Sequence, residues 1–181
     1  MLEGKNVNLR VMEKEDLPLV TEWFNNPELG GEYFSPIQRT RTEMEKSFES
    51  SPSEIRRFII EKKDGTKIGF IQHFNVQNPM GKIVEVGYAL VQSERRKGYC
   101  SEATSLMLDY LFFSKDIVRV QAYTNVRNVG SQKVLEKVGL KKEGIVRKNS
   151  FVRGKWEDEC LYSILREEWK EPKILTRTEK K

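Results

Sequence analysis

The sequence predicts a single α+β domain built on a mixed sheet, with elements in the order β α α β β β α β α β β. Three observations carry that prediction. Three short apolar runs lie in series between residues 57 and 91, separated by turn signals; the hydrophobic period changes from strand-like to helical after Ser101; and a second helix-length segment follows one further strand. The chain's 181 residues, 38% hydrophobic and 33% charged, suffice for about one domain with its own core.

The elements follow in order. Over residues 5–11, Val7, Leu9 and Val11 alternate with polar neighbours, the period of a half-buried strand. Glu13-Lys14-Glu15-Asp16 leads into Leu17, Val20, Trp23 and Phe24 at helical spacing, and that helix ends near Asn26-Pro27. Residues 28–41, with Gly30-Gly31 and Pro36, read as a mobile cover, and residues 42–50 as a short, weakly amphipathic helix with Met44 and Phe48. Strands at 57–62, 67–76 and 83–91 are divided by Asp64-Gly65 and Pro79-Met80-Gly81, an antiparallel meander. Ala103, Leu106, Met107, Tyr110 and Leu111 mark one face of a helix of about three turns. Residues 117–123 form the next strand, and 131–138 a helix capped by Gly139. Strands at about 142–152 and 155–165 meet at Arg153-Gly154, and the charged segment 171–181 reads as a disordered tail.

Composition excludes several chemistries. Cys100 and Cys160 form no CxxC or Cys/His spacing, so a structural zinc site is ruled out and a disulfide scaffold is not expected. A single histidine, His73, forbids three-histidine metal sites. The opening MLEGKNVNLR has no apolar signal region and no run nears the ~18 apolar residues of a membrane span, so a cytoplasmic protein without membrane attachment is expected. Charge is uneven: residues 1–90 carry 12 basic and 14 acidic side chains, residues 91–181 carry 20 and 13. The second half is therefore the one that attracts anions.

Two segments could carry chemistry. Arg95-Arg96-Lys97-Gly98-Tyr99-Cys100-Ser101-Glu102 joins a strand to the long helix. A helix start leaves about four N–H groups unpaired and carries roughly half a positive charge, so this basic, glycine-containing loop suits a phosphate. It equally suits a solvated turn with Ser101 as N-cap and Glu102 answering the helix dipole. The second segment, Thr124 to Ser131, places Asn128 three residues before Ser131, about one helical turn, so both polar groups face the mouth between strand and helix. Capping without chemistry is the plain alternative.

Together, in this order and spacing, these segments resemble the GNAT N-acetyltransferase superfamily. Its [Q/R]xxGx[G/A] pyrophosphate loop matches Arg95 to Cys100, with Cys100 bulkier than the usual last residue. Leu9-Arg10, Trp23 with Asn25-Asn26-Pro27-Glu28, Glu85-Val86-Gly87-Tyr88, Gly98 to Ala103, Asn128 to Leu140, and Gly154, Asp158, Tyr162, Leu165, Glu168-Trp169 are similar to the RimJ/RimL-type branch, the ribosomal-protein N-terminal acetyltransferases and relatives. The resemblance implies one domain over residues 5–170, with a central mixed, mostly antiparallel seven-stranded sheet flanked by about four helices. It also implies acetyl-coenzyme A as cofactor, a primary amine acceptor (a protein N-terminus or a small molecule), no direct nucleic-acid partner, and a homodimer as an expected assembly.

The resemblance further implies that Leu90, Val91, Arg95, Arg96, Lys97, Gly98, Tyr99, Cys100, Ser101, Asn128, Ser131 and Lys133 bind the cofactor, with free amides at Leu90 and Val91 on its pantetheine arm. An activated thioester needs little acid-base equipment. Glu85 would deprotonate the amine and Ser131 protonate the departing thiolate, with Tyr123 or Tyr162 in reserve. A helix N-terminus would favour a Cys100 thiolate, although packing suits that residue as well. Trp23, Phe24, Tyr33, Phe34, Phe151 and Trp156 are candidate walls of the acceptor pocket, and His73 is a strand residue or part of such a wall. Two rival readings remain: a non-catalytic acyl-coenzyme A sensor, and a basic ribosome- or RNA-binding module using Lys141, Lys142, Arg147, Lys148, Arg153 and Lys155.

Overall fold

The structure, a computed structural model, describes residues 1–35, 37–50, 55–77 and 81–172. Residues 173–181, most of the expected tail, and the Pro79-Met80 turn lie outside them. The described residues form one eight-stranded sheet and five α-helices. The strands are β1 (Leu2–Glu3), β2 (Val7–Val11), β3 (Arg56–Lys62), β4 (Lys67–Asn75), β5 (Ile83–Leu90), β6 (Arg119–Asn125), β7 (Lys141–Val152) and β8 (Lys155–Leu165), in the spatial order β1-β2-β3-β4-β5-β6-β8-β7. The helices are α1 (Leu17–Asn25), α2 (Pro27–Gly30), α3 (Arg41–Glu49), α4 (Tyr99–Ser114) and α5 (Val129–Val138).

The sheet is mixed and mostly antiparallel, β5 with β6 being its parallel pair. One strand more than expected is present: β1, two residues long, pairs Leu2 with Leu9 and is too short to show a period. Likewise α2 is a single turn, started by Pro27 and by the Asn26 side chain accepting from the Glu28 amide. The weakly patterned α3 owes its start to a capping box, Thr40 with Glu43, and buries Met44.

Strand alternation divides the apolar side chains between two faces. Val84, Val86 and Leu90 of β5 join Ile71 of β4, Val120 and Ala122 of β6, and Cys160, Tyr162 and Ile164 of β8 beneath α4 and α5. The other face packs Ile59, Phe70 and Ala89 against Leu17, Val20 and Trp23 of α1, Leu29 of α2 and Met44 of α3. Burying each such large side chain contributes roughly 1.5–3 kcal/mol. Asp16, 1% exposed, locks the start of α1 to the sheet: it accepts from both Arg10 terminal nitrogens, from Lys67 Nζ and from the Glu13 amide. These donors hold its carboxyl far below the ordinary range despite burial.

The feature that positions a site is a divergence. β5 pairs with β6 only through Ile83, Glu85 and the residue between, opposite Arg119 to Gln121. Beyond that, β5 stays with β4 up to Leu90, and β6 stays with β8 up to Asn125. A V-shaped opening is left between them. The end of α4 is fixed by Arg166, whose guanidinium donates to the carbonyls of Phe112, Lys115 and Ile117 while lying over the Phe112 ring. Trp169 stacks on Phe112 and donates to Asp109. No helix among the described residues is long and apolar enough to cross a membrane.

Candidate active site

The two faces of the opening carry different chemistry. On the α4/α5 face, Tyr88 of β5 reaches Ser131 in the first turn of α5, with the two hydroxyls 3.0 Å apart. Asn128 caps α5, its Oδ1 accepting from the Ser131 amide at 3.1 Å. The cap holds the serine in place. Burial pushes the Tyr88 phenol up from its ordinary value, so it is a neutral hydroxyl. On the opposite face, by strand parity, Glu85 accepts from Gln121 Nε2 at 3.1 Å. Its carboxyl is raised above the ordinary range, chiefly by burial and further by the charge of Glu159 on β8.

At the mouth of the V the chain turns through the basic loop. Gly98 is left-handed (φ 86°), which starts α4 at Tyr99 rather than Ser101, and no side chain caps the helix. The expected Ser101 N-cap is therefore not formed: the cap falls three residues earlier, at Gly98, because glycine takes the left-handed turn without a Cβ penalty. Nor does Glu102 simply face the dipole, since it accepts from the Asn6 and Val7 amides and from Asn6 Nδ2 in the β1–β2 turn. The result is a helix N-terminus with uncapped amides, and the Cβ position of Gly98 meets nothing within 4 Å. Such a cradle fits an anionic diphosphate.

Several sequence-predicted residues are placed differently. The Val91 amide donates to Ile68 O at 2.9 Å, so it is not free as expected. Because that bond points towards β4, the neighbouring Leu90 backbone points into the opening, where its carbonyl accepts from Arg95 Nε. Arg95 itself turns inward, Nη2 donating to the carbonyls of Glu28 and Leu29, rather than towards the uncapped amides. Arg96 and Lys97 are exposed, and Lys97 pairs with Glu94 at 3.1 Å. Cys100 lies beneath the loop and burial pushes its thiol up to about 12, which removes the thiolate reading in favour of packing. Lys133 is exposed on α5. Tyr162 is fully buried with its hydroxyl on Glu136 (2.9 Å) and Gln132, and Tyr123 has the parity of the Glu85 face, so neither joins Ser131. His73 is core, 0% exposed, facing Phe58 and Tyr110 of α4.

The expected aromatic walls separate. Trp23 and Phe24 pack in the α1 cluster, Phe24 on Phe70 at 5.3 Å. Tyr33 and Phe34 lie on the segment after α2, and Phe151 meets Trp156 edge-on at the β7–β8 turn. Beside α2 a hollow of about 460 Å³ is lined by Trp23, Asn26, Glu28, Leu29, Val91, Gln92 and Ser93. Tyr88 is a site residue that the sequence does not single out; its one local signal is the Gly87-Tyr88 pair with inward strand parity at 88.

This arrangement, a V between parallel strands with an uncapped helix start at its mouth, agrees with the comparisons. The family model for the acetyltransferase (GNAT) domain matches residues 6–141. The chain belongs to the GNAT acetyltransferase family. It is similar to a probable N-acetyltransferase, YjcK, of Bacillus subtilis (strain 168), 34% identical over 176 residues that cover 91% of this chain and 97% of the relative. Its fold is similar to that of the spermidine N-acetyltransferase from Vibrio cholerae in complex with CoA and spermine (TM-score 0.82, 21% identity, 91% and 98% of the two chains). It is also similar to that of the ribosomal-protein-S5-alanine acetyltransferase from Vibrio fischeri (TM-score 0.78, 23% identity, 93% and 98%). This GNAT protein is an acetyl-coenzyme A-dependent N-acetyltransferase acting on an amine.

Proposed function

We propose that the acceptor is a small cationic amine with at least one further positive charge, acetylated across the V with Glu85 as base and the Ser131–Tyr88 pair as acid. The observation that carries this reading is the pair of carboxylates on the open face. The charge of Glu159 raises the Glu85 pKa, Glu159 accepts from Asn149 Nδ2, and among the described residues neither carboxylate is matched by an ion pair. Glu157, by contrast, is answered by Arg127 at 3.1 Å. A cationic acceptor supplies the missing charge. The Vibrio cholerae neighbour, in complex with spermine, shows that this fold accommodates a cationic amine, as the Vibrio fischeri neighbour does a protein alanine by its name; the two carboxylates favour the former.

Residue roles follow from the geometry. The uncapped amides of Tyr99, Cys100 and Ser101 would hold the pyrophosphate, with Gly98 allowing close approach and Arg96, Lys97 and Lys133 adding attraction at longer range. The Leu90 backbone and Asn128 would align the pantetheine arm. The bound thioester supplies an already activated acyl carbon. Glu85, its affinity for protons raised by burial, takes the proton that the acceptor ammonium must lose. Ser131 hands a proton to the departing sulfur and regains one from solvent once coenzyme A has left, while Tyr88, hydrogen-bonded to it, stays protonated and holds the serine hydroxyl in line. Base and acid stand on opposite faces, so each meets its own side of the opening.

A panel of amines with acetyl-coenzyme A, read by thiol release and product mass, tests the acceptor class. Di- and polyamines should exceed a monoamine of equal length at least tenfold in kcat/KM, and Glu159→Gln should shrink that ratio. Equal rates, or transfer to peptide N-termini alone, would overturn the reading.

A further inference from the structure

Arg95 stands at the head of the pyrophosphate loop, yet its guanidinium is committed elsewhere. Nε donates to Leu90 O at the end of β5 (3.1 Å), and Nη2 to Glu28 O (3.1 Å) and Leu29 O of α2. A one-turn helix satisfies few of its own carbonyls, and the planar fork of an arginine answers several at once. The chain then bends at Gly31 (φ 59°), where the atom nearest to its Cβ position is Arg95 Nη1 at 3.8 Å. From there the segment runs to the β7–β8 turn, where a second arginine does the same. Arg153 donates to Gly31 O (3.0 Å) and Phe34 O (3.3 Å), its amide to Ser35 Oγ (3.2 Å), and Ser35 Oγ to Phe151 O (2.9 Å). Between the two anchors, Tyr33 Oη donates to Arg127 O just before α5 (3.1 Å). Residues 28–35 thus form a strap from the end of β5 to the closing hairpin, fastened by an arginine at each end.

We propose that Arg95 is a positioning residue for the acceptor rather than a phosphate ligand: it fixes the strap on the end of β5 and so shapes the acceptor side of the opening. It cannot bind phosphate with the same donors without releasing α2. The inference goes beyond the proposed acceptor and rests on the acetyl-transfer activity only for its kinetic arm.

The test uses the full chain with Arg95→Gln and Arg153→Gln, and three readouts: acetyl-coenzyme A affinity by calorimetry, steady-state kinetics with the best amine of the panel, and tryptic cleavage at Arg39 and Arg41 just beyond the strap. Arg95→Gln should raise acceptor KM tenfold or more while acetyl-coenzyme A Kd changes less than twofold, with cleavage severalfold faster. Arg153→Gln should reproduce the acceptor effect from the other anchor, and it carries the test if Arg95→Gln fails to fold. A tenfold loss of acetyl-coenzyme A affinity with unchanged acceptor KM would overturn the proposal, as would unchanged cleavage in both variants. Should the wild type acetylate no amine, the activity reading fails instead, and affinity and cleavage still decide the role of Arg95.

Discussion

His73 offers a quantitative test of the core. The ring is fully buried, faces Phe58 and Tyr110 at centroid distances of 6.4 and 6.2 Å, and neither nitrogen has a hydrogen-bond partner among the described residues. Burial, with Lys115 and Arg56 adding to it, lowers its pKa to about 4 from 6.5. The folded state therefore resists a proton that the unfolded chain accepts. Its share of stability is intact above pH 6.5 and is lost as pH falls towards 4. Linkage with these two values gives a loss of about 2 kcal/mol between pH 7.5 and pH 5. In a chain of this size that is roughly 4–8 °C in Tm. His73→Phe keeps a flat ring and removes the titration. Urea unfolding of both proteins at the two pH values isolates the effect, because the carboxylates contribute equally to each. The wild type should lose about 2 kcal/mol more than the variant. Equal losses would mean that His73 finds a proton partner in the folded state, and the reasoning from its isolation would fail.

Other expectations can be checked alongside. Ser131→Ala should slow acetyl transfer about tenfold or more with little change in acetyl-coenzyme A affinity; unchanged turnover removes the serine from the mechanism. Glu85→Gln should lower kcat/KM about a hundredfold. In the wild type, kcat/KM should fall as pH drops through the raised Glu85 pKa, a limb that the variant lacks; a persisting limb assigns the base elsewhere. Arg166→Ala removes the three bonds that close α4 and should cost about 3 kcal/mol, read as a melting point lowered by several degrees. A shift below about 1 °C would show that solvent replaces the arginine.

What could be read from the sequence was local. The meander at 57–91, the amphipathic α4 and the Asn128/Ser131 pair declare themselves through period or spacing. The loop does so through one glycine among basic residues, and Gly98 does start the helix there. Tyr88 did not, since its partner Ser131 is 43 positions away and only the fold brings them together. Arg95 reads as a phosphate ligand because its sequence neighbours are basic, but side-chain direction is decided by unsatisfied carbonyls in α2, which no local pattern reveals. Val91 shows the limit of parity at a strand end. One residue decides whether an amide faces β4 or the opening.

The outermost strand gives the basic stretch a different meaning. β7 ends the sheet over 12 residues, pairs among the described residues only with β8, and leaves Ile145 and Phe151 each 55% exposed. A strand of that length and apolar content is a template for another strand to zip onto. Here its register slips twice, between Lys142 and Gly144 and between Val146 and Ser150, and Lys148 takes a left-handed turn (φ 51°). Lys141, Lys142, Arg147 and Lys148 crowd the same border. Two such borders meeting would bring like charges together on ridges that do not match. Positive charge on such a border disfavours edge-to-edge pairing of two copies, whatever else it meets.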